Sequence, residues 1–154
     1  MEDIEYISGG IELLDSIRTL WEQLIVHHAE ISTYFSEDLL ERTFPKRKDG
    51  LIEKSKQVKI RVDLARSEHR GKYVGYCVSV VNKENIGEIE SIFVEEDFRN
   101  SGIGDTLMTK TLKWMETLQV ESKIVKIATG NDRAHLFYSK YGFLPRITVF
   151  QQKK

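Results

Sequence analysis

The sequence predicts an α/β (α+β) chain in which a mostly antiparallel sheet is flanked by helices. Three observations carry this expectation. Apolar residues at three- and four-residue spacing mark amphipathic helices, most clearly over Ile11 to Glu30. Three strand patterns then follow one another between Val58 and Val94 with no helix between them, which implies antiparallel pairing. Last, a glycine loop joins the third of these strands to a further helix.

A chain of 154 residues has the size of one domain, and a single domain over residues 1–154 is expected. Such a chain buries about two thirds of its unfolded surface. Its formal charge is −1, from 24 acids against 23 bases, so no overall field recruits nucleic acid or an anionic membrane. The one cysteine, Cys77, excludes an internal disulfide and fits a reducing compartment. Met1-Glu2-Asp3-Ile4-Glu5 lacks the apolar core of a signal peptide, and no apolar run approaches a membrane span. The chain therefore reads as cytoplasmic, without nucleic-acid or membrane partners.

In order, Ile4-Glu5-Tyr6-Ile7 is a short strand closed by Ser8-Gly9-Gly10. From Ile11 the positions Leu13, Leu14, Ile17, Leu20, Trp21, Leu24 and Ile25 form one helical face. His27 and His28 are adjacent and point to different sides, which argues against a shared metal and assigns them structural or solvent roles. The pair Tyr34-Phe35 either lines a pocket or staples two helices together. Ser36 before Glu37-Asp38 is expected to cap a helix that Pro45 ends. Lys46-Arg47-Lys48 is diluted by Asp49 and Glu53, has no interleaved aromatic residue, and reads as a solvated basic turn.

Alternation over Val58, Ile60, Val62 and Leu64 gives a half-buried strand; Arg66 to Lys72 is a turn; Tyr73 to Val81 is the next strand, with Cys77 as buried filler. A hairpin turn over Asn82 to Asn85 leads into Ile86 to Val94. Beyond the glycine loop, Leu107, Met108, Leu112, Met115 and Leu118 form a core-facing stripe. Lys123 to Thr129 is a strand, and Asn131-Asp132 caps a short helix that carries Ala134, Phe137, Tyr138 and Tyr141 on one face and ends at Gly142. Phe143 to Gln151 alternates into a final strand.

The loop Arg99-Asn100-Ser101-Gly102-Ile103-Gly104 is the chemical clue. Its glycines bring backbone N–H groups close to a guest at a helix start, the helix dipole adds partial positive charge, and Arg99 adds a full one, so a phosphate or pyrophosphate is expected. A dinucleotide fingerprint needs glycine where Leu107 stands, and no Lys-Ser or Lys-Thr pair follows Gly104 as a triphosphate loop requires. The pattern Arg-x-x-Gly-x-Gly after a strand resembles the coenzyme A pyrophosphate loop of the GNAT superfamily of N-acetyltransferases. A second block about thirty residues on, Asn131-x-x-Ala134-x-x-Phe137-Tyr138-x-x-x-Gly142-Phe143, resembles the superfamily's other signature in the right order.

This resemblance implies the GNAT acyl-CoA N-acyltransferase fold: a central mixed, mostly antiparallel sheet of six to seven strands with about four helices. It implies that the chain is an acyltransferase using acetyl-CoA as cosubstrate and no metal. Laid onto this sequence, it has the backbone of Phe93 and Val94 pair with the pantetheine arm, Arg99, Asn100, Ser101, Gly102, Ile103 and Gly104 hold the pyrophosphate, and Asn131 and Ala134 flank the lower arm. Tyr138 is placed near the thioester sulfur. Asp105 departs from the pattern, since an acid beside a pyrophosphate repels it.

Acetyl transfer to an amine needs a neutral amine, oxyanion stabilisation and a proton for the departing thiolate. Tyr138, with a phenol pKa near about 10, is the expected acid. Glu88 and Glu90 share one face of their strand and are the candidate bases, Glu90 preferred because similar family members carry an acid there. A backbone N–H near Val94 meets the oxyanion. Residues 84–97 hold six acids and no Lys or Arg, which favours a cationic small amine if they line the cleft. The expected acceptor is a small primary amine; a protein N-terminus or lysine, or a non-catalytic acyl-CoA sensor, are the alternatives. A homodimer is compatible with all of these readings.

Overall fold

Why the strands stop where they do decides where a site can form. The structure is a computed structural model that describes residues 3–154, leaving Met1 and Glu2 of the acidic N-terminal stretch outside it. Five strands form one sheet in sequence order: β1 (Ile4–Gly9), β2 (Lys59–Ser67), β3 (Lys72–Val81), β4 (Ile86–Val94) and β5 (Ser122–Val125). The first four pair antiparallel, as the uninterrupted run of strand patterns requires; β5 returns through a helix and pairs parallel to β4. Asn85 takes the left-handed φ of 63° in the β3–β4 turn, where the Asn82 side chain accepts from the Ile86 N–H at 2.9 Å.

Helices cover both faces. On one lie α1 (Arg18–Ile31), α2 (Ser36–Leu40) and α3 (Phe44–Lys54), and Leu14, Trp21, Leu24, Phe44 and Leu51 meet Val62, Leu64, Tyr76, Val78 and Phe93. On the other lie α4 (Ile103–Thr117) and α5 (Asp132–Ser139), whose Leu107, Met108, Met115 and Tyr138 meet Ala65, Val74, Cys77 and Ile89.

Four expectations are corrected. Ile11–Ile17 winds as a 3₁₀ helix before α1, which stacks the fully buried Leu14 and Ile17 three residues apart on one edge. Ser36 forms no capping bond; Phe35, at φ 59°, holds the N-cap position of α2. Pro45 opens α3 rather than ending a segment, because a first-turn residue needs no N–H partner, and the expected basic turn Lys46-Arg47-Lys48 is therefore helical. The final strand does not form: the sheet has five strands, not six or seven, because no strand edge receives residues 144–150. Leu144, Ile147, Val149 and Phe150 are 78 to 95% exposed.

Among the described residues, one charged group sits deep in the sheet. Asp63 is 1% exposed and takes a two-pronged pair from Arg61, at 2.8 and 2.9 Å, while Ser8 of β1 donates to it at 2.5 Å. The carboxylate thus ties β1 to β2. Removing one partner leaves the guanidinium uncompensated, so Asp63→Ala is expected to lower the unfolding free energy by about 3–5 kcal/mol in urea denaturation.

Candidate active site

β4 and β5 stay paired only from Ile86↔Ser122 to Ile89↔Val125, while β4 runs on to Val94. Its outer edge is therefore open from Glu90 onward. The parting coincides with a β-bulge: Ile89 and Ser91 face Ser79 and Val78 in succession, with Glu90 left over. Glu90 and Ser91 consequently point to the same α1/α3 side, where Ser91 donates to the buried Tyr76 hydroxyl at 3.1 Å. Past the bulge, Ile92 and Val94 pack toward α4 and α5, and Phe93 toward α1.

After a short 3₁₀ turn at Glu96–Phe98, the loop takes the shape its glycines allow. Asn100 has φ 62° and Gly102 φ 88°, both left-handed. The Ser101 hydroxyl is turned back onto the Phe98 carbonyl, and the Thr106 N–H is the first to find the carbonyl of Gly102. Among the described residues, the N–H groups of Asn100 to Asp105 have no hydrogen-bond acceptor. Six donors at a helix start make a seat for a multiply charged anion. The Arg99 side chain does not lie over that seat. Its Nε donates to the Val94 carbonyl at 2.9 Å and its guanidinium stacks 5.2 Å above the Phe93 ring.

α5 closes against this loop. A Cβ on Gly104 would lie 3.3 Å from the Phe137 ring, so the bare backbone is what lets the two helices meet there. Asp105, the acid that departs from the expected pattern, turns outward: the Tyr141 hydroxyl donates to it and Lys140 lies 3.4 Å away. The Tyr141 bond, helped by Lys140, holds its carboxyl below the usual aspartate range. Asn131 caps α5 as expected, accepting from the Ala134 N–H at 3.1 Å. Tyr138 is 6% exposed in the same cluster as Ile92 and Val94, edge-on to Phe137 and Phe143. Burial pushes its phenol well above the ordinary value, so it stays protonated.

The acids of residues 84–97 do not combine into one negative cleft, because cations answer four of the six. Glu95 pairs with Lys72 at 2.9 Å, Asp97 with Arg70 at 3.6 Å and Glu88 with Lys126 at 3.7 Å. Glu90 is held by two cations of α3, Lys54 and, at 3.3 Å, Arg47. Burial raises the Glu90 carboxyl, but Lys54 and Arg47 outweigh it and leave it below the usual range. Glu88 and Glu90 do share a face, as the alternation predicts. Arg47 and Lys54 were not legible as its partners; their seven-residue spacing, two turns along one helix face, is the available signal.

The same holds for His27, which packs 6.4 Å from Phe93 and whose pKa is lowered first by burial and then by the charge of Arg99. Of the pair Tyr34-Phe35, Tyr34 is 65% exposed and Phe35 is half-buried at the N-cap of α2. Cys77 receives a hydrogen bond from Thr111 at 3.3 Å, and burial pushes its thiol up to about 12, far from nucleophilic use. Among the described residues, no group of three or more His, Cys, Asp or Glu is arranged to hold a metal, and no helix is long and apolar enough to cross a membrane.

Comparison with known proteins bears on this geometry. A model of the acetyltransferase (GNAT) family matches residues 21–143. The chain is 34% identical over 84 residues to an uncharacterized N-acetyltransferase of Methanocaldococcus jannaschii, a stretch that spans 49% of this chain but only 36% of that relative. Its fold is similar to an aminoglycoside N-acetyltransferase solved in complex with CoA, with TM-score 0.68, 14% identity and coverage of 100% of this chain and 96% of the other. It is equally similar to a ribosomal-protein-alanine N-acetyltransferase from Brucella melitensis, with TM-score 0.68, 12% identity and 99% of each chain covered. At such identities the likeness is one of fold.

The Asp105 clasp has a pH signature. Because its carboxyl is held low, the clasp is fully formed above the ordinary aspartate pKa and is lost as pH falls through the depressed value. In Tyr141→Phe the Asp105 titration, followed by carboxyl-carbon NMR, is expected to move upward toward the ordinary value.

Proposed function

Because the chain belongs to the acetyltransferase (GNAT) family, we propose that it moves the acetyl group of acetyl-CoA directly to a primary amine of a small molecule. The observation that carries the reading is the parting of β4 from β5 beside the loop of unpaired N–H groups. An open strand edge suits an extended amide-bearing arm, and six free donors at a helix start suit a diphosphate. The residues therefore fit coenzyme A: the backbone of Phe93 and Val94 for the pantetheine arm, Asn100 to Gly104 for the pyrophosphate, with the Arg99 side chain turned back onto Val94, and Asn131 and Ala134 along the lower arm. Acetyl-CoA, when bound, supplies an acyl group on a good thiolate leaving group.

The chain's own part is proton handling and charge stabilisation. Tyr138 holds a proton throughout the physiological range and is the donor to the departing sulfur. A backbone N–H on the open edge near Val94 meets the oxyanion. Of the two carboxylates, Glu90 has its lone pairs engaged by Arg47 and Lys54, whereas Glu88 has one loose pair with the exposed Lys126. Glu88 is thus the freer proton acceptor, acting through water, and Glu90 serves to order the cleft wall. Arg47 and Lys54 reach across from α3 to Glu90 of β4, which favours a small acceptor over an extended protein segment on that side.

Thiol release from acetyl-CoA across a panel of amines and peptides tests the reading. Tyr138→Phe is expected to lower kcat/KM about tenfold or more, and an unchanged rate removes Tyr138 from the chemistry. Glu88→Gln is expected to lose the acid limb of the pH–kcat/KM profile, which Glu90→Gln retains. Thermal stabilisation by coenzyme A with no turnover of any amine or peptide points instead to a sensor.

A further inference from the structure

Two cations and one anion meet in the cleft between α3 and β4. Arg47 and Lys54 lie on one face of α3, and both turn to Glu90, whose side chain is only 9% exposed. The cluster carries one surplus positive charge. Arg47 and Lys54 keep 30% and 40% of their side chains open, so neither cation is spent on Glu90. A guanidinium has five N–H donors, and one is engaged here at 3.3 Å. Beside Glu90, Ser91 on β4 donates to the buried Tyr76 hydroxyl on β3. Of the other acids of residues 84–97, Glu88, Glu95 and Asp97 have cations of their own. Glu90 sits at the bulge where β4 and β5 part, so the cluster borders the open edge proposed for acyl transfer.

We propose that Arg47 and Lys54 form an oxyanion-recognition subsite, and that the acceptor is a small amine bearing a carboxylate or phosphate at its far end. This rests on the acetyltransferase reading and narrows it. Glu90 presets the two cations, and the acceptor's anion takes the donors they leave open, a charge-assisted arrangement that a neutral or dicationic amine cannot match. Such a subsite reverses the cationic preference that the acids of residues 84–97 alone would imply.

The test uses matched amines of graded chain length whose far end is a carboxylate, a phosphate, a carboxamide or a second ammonium. Wild-type kcat/KM is expected to favour the anionic members over the carboxamide by about tenfold or more, and the diamine to be poorest. The carboxylate and phosphate arms show which anion fits. Arg47→Gln and Lys54→Gln are each expected to collapse the anion-to-carboxamide ratio toward one, and Arg47→Lys to keep part of it. The ratio within one variant cancels any effect on folding, and measuring it again for each substitution combined with Glu90→Gln separates loss of the cation from repulsion by a carboxylate left unpaired: a ratio that recovers in the Glu90→Gln background overturns the subsite. Equal rates for all far ends, or a preference that survives both substitutions, overturns the subsite and leaves the acetyltransferase reading standing. If no amine is acetylated, calorimetric titration of the anionic amines into coenzyme A-saturated protein decides. Binding that is lost in Arg47→Gln keeps the subsite while the transferase reading fails, and no binding overturns the subsite.

Discussion

The constraint on which the site depends is that β4 is longer than the partner on its outer edge. β5 holds it for four residues and then leaves, so five residues of β4 continue with one edge bare. Bare backbone in a folded protein is costly unless something answers it. Part of the answer is internal, since Arg99 folds back onto the Val94 carbonyl. The bulge at Glu90 adds to the effect, because it changes which side chains face α1 and α3 just where the strands diverge. Bond geometry in the sheet, not a specialised loop alone, therefore lays out the cleft.

The helices use this opening in different ways. α4 brings its unpaired N–H groups to one end of the bare edge, and α5 is pinned across that end by the contact of Phe137 with Gly104 and by the Asp105 clasp. α3 stands on the opposite face and reaches the same strand through two long cationic side chains. Tyr138 belongs to the core, and the burial that makes it a packing residue is what keeps its phenol protonated, as the proposed role requires.

What was legible in the sequence was local. The bounds of β4, the turn residues before it, the loop with its left-handed Gly102 and the Asn131 cap all follow from residues within a few positions of one another. What was not legible was long-range. The partners of Glu90 lie 36 and 43 residues away, and a run of acids reads as a negative cleft until its cations are located. Asp105 is adverse to an anion by its position in the sequence, and Tyr141, 36 residues on, holds it aside. A proline can end one segment or open the next, and Pro45 opens α3; the alternation over residues 143–151 describes a strand for which the sheet offers no neighbour.

Cys77 has a use that none of the chemistry requires. It is the sole thiol of the chain, has no accessible surface and sits in the middle strand of the sheet beneath α4. A thiol-blocking reagent can reach it only when the sheet and α4 separate, so the rate of its modification reads directly how often the interior opens, with no label having to be engineered into the chain.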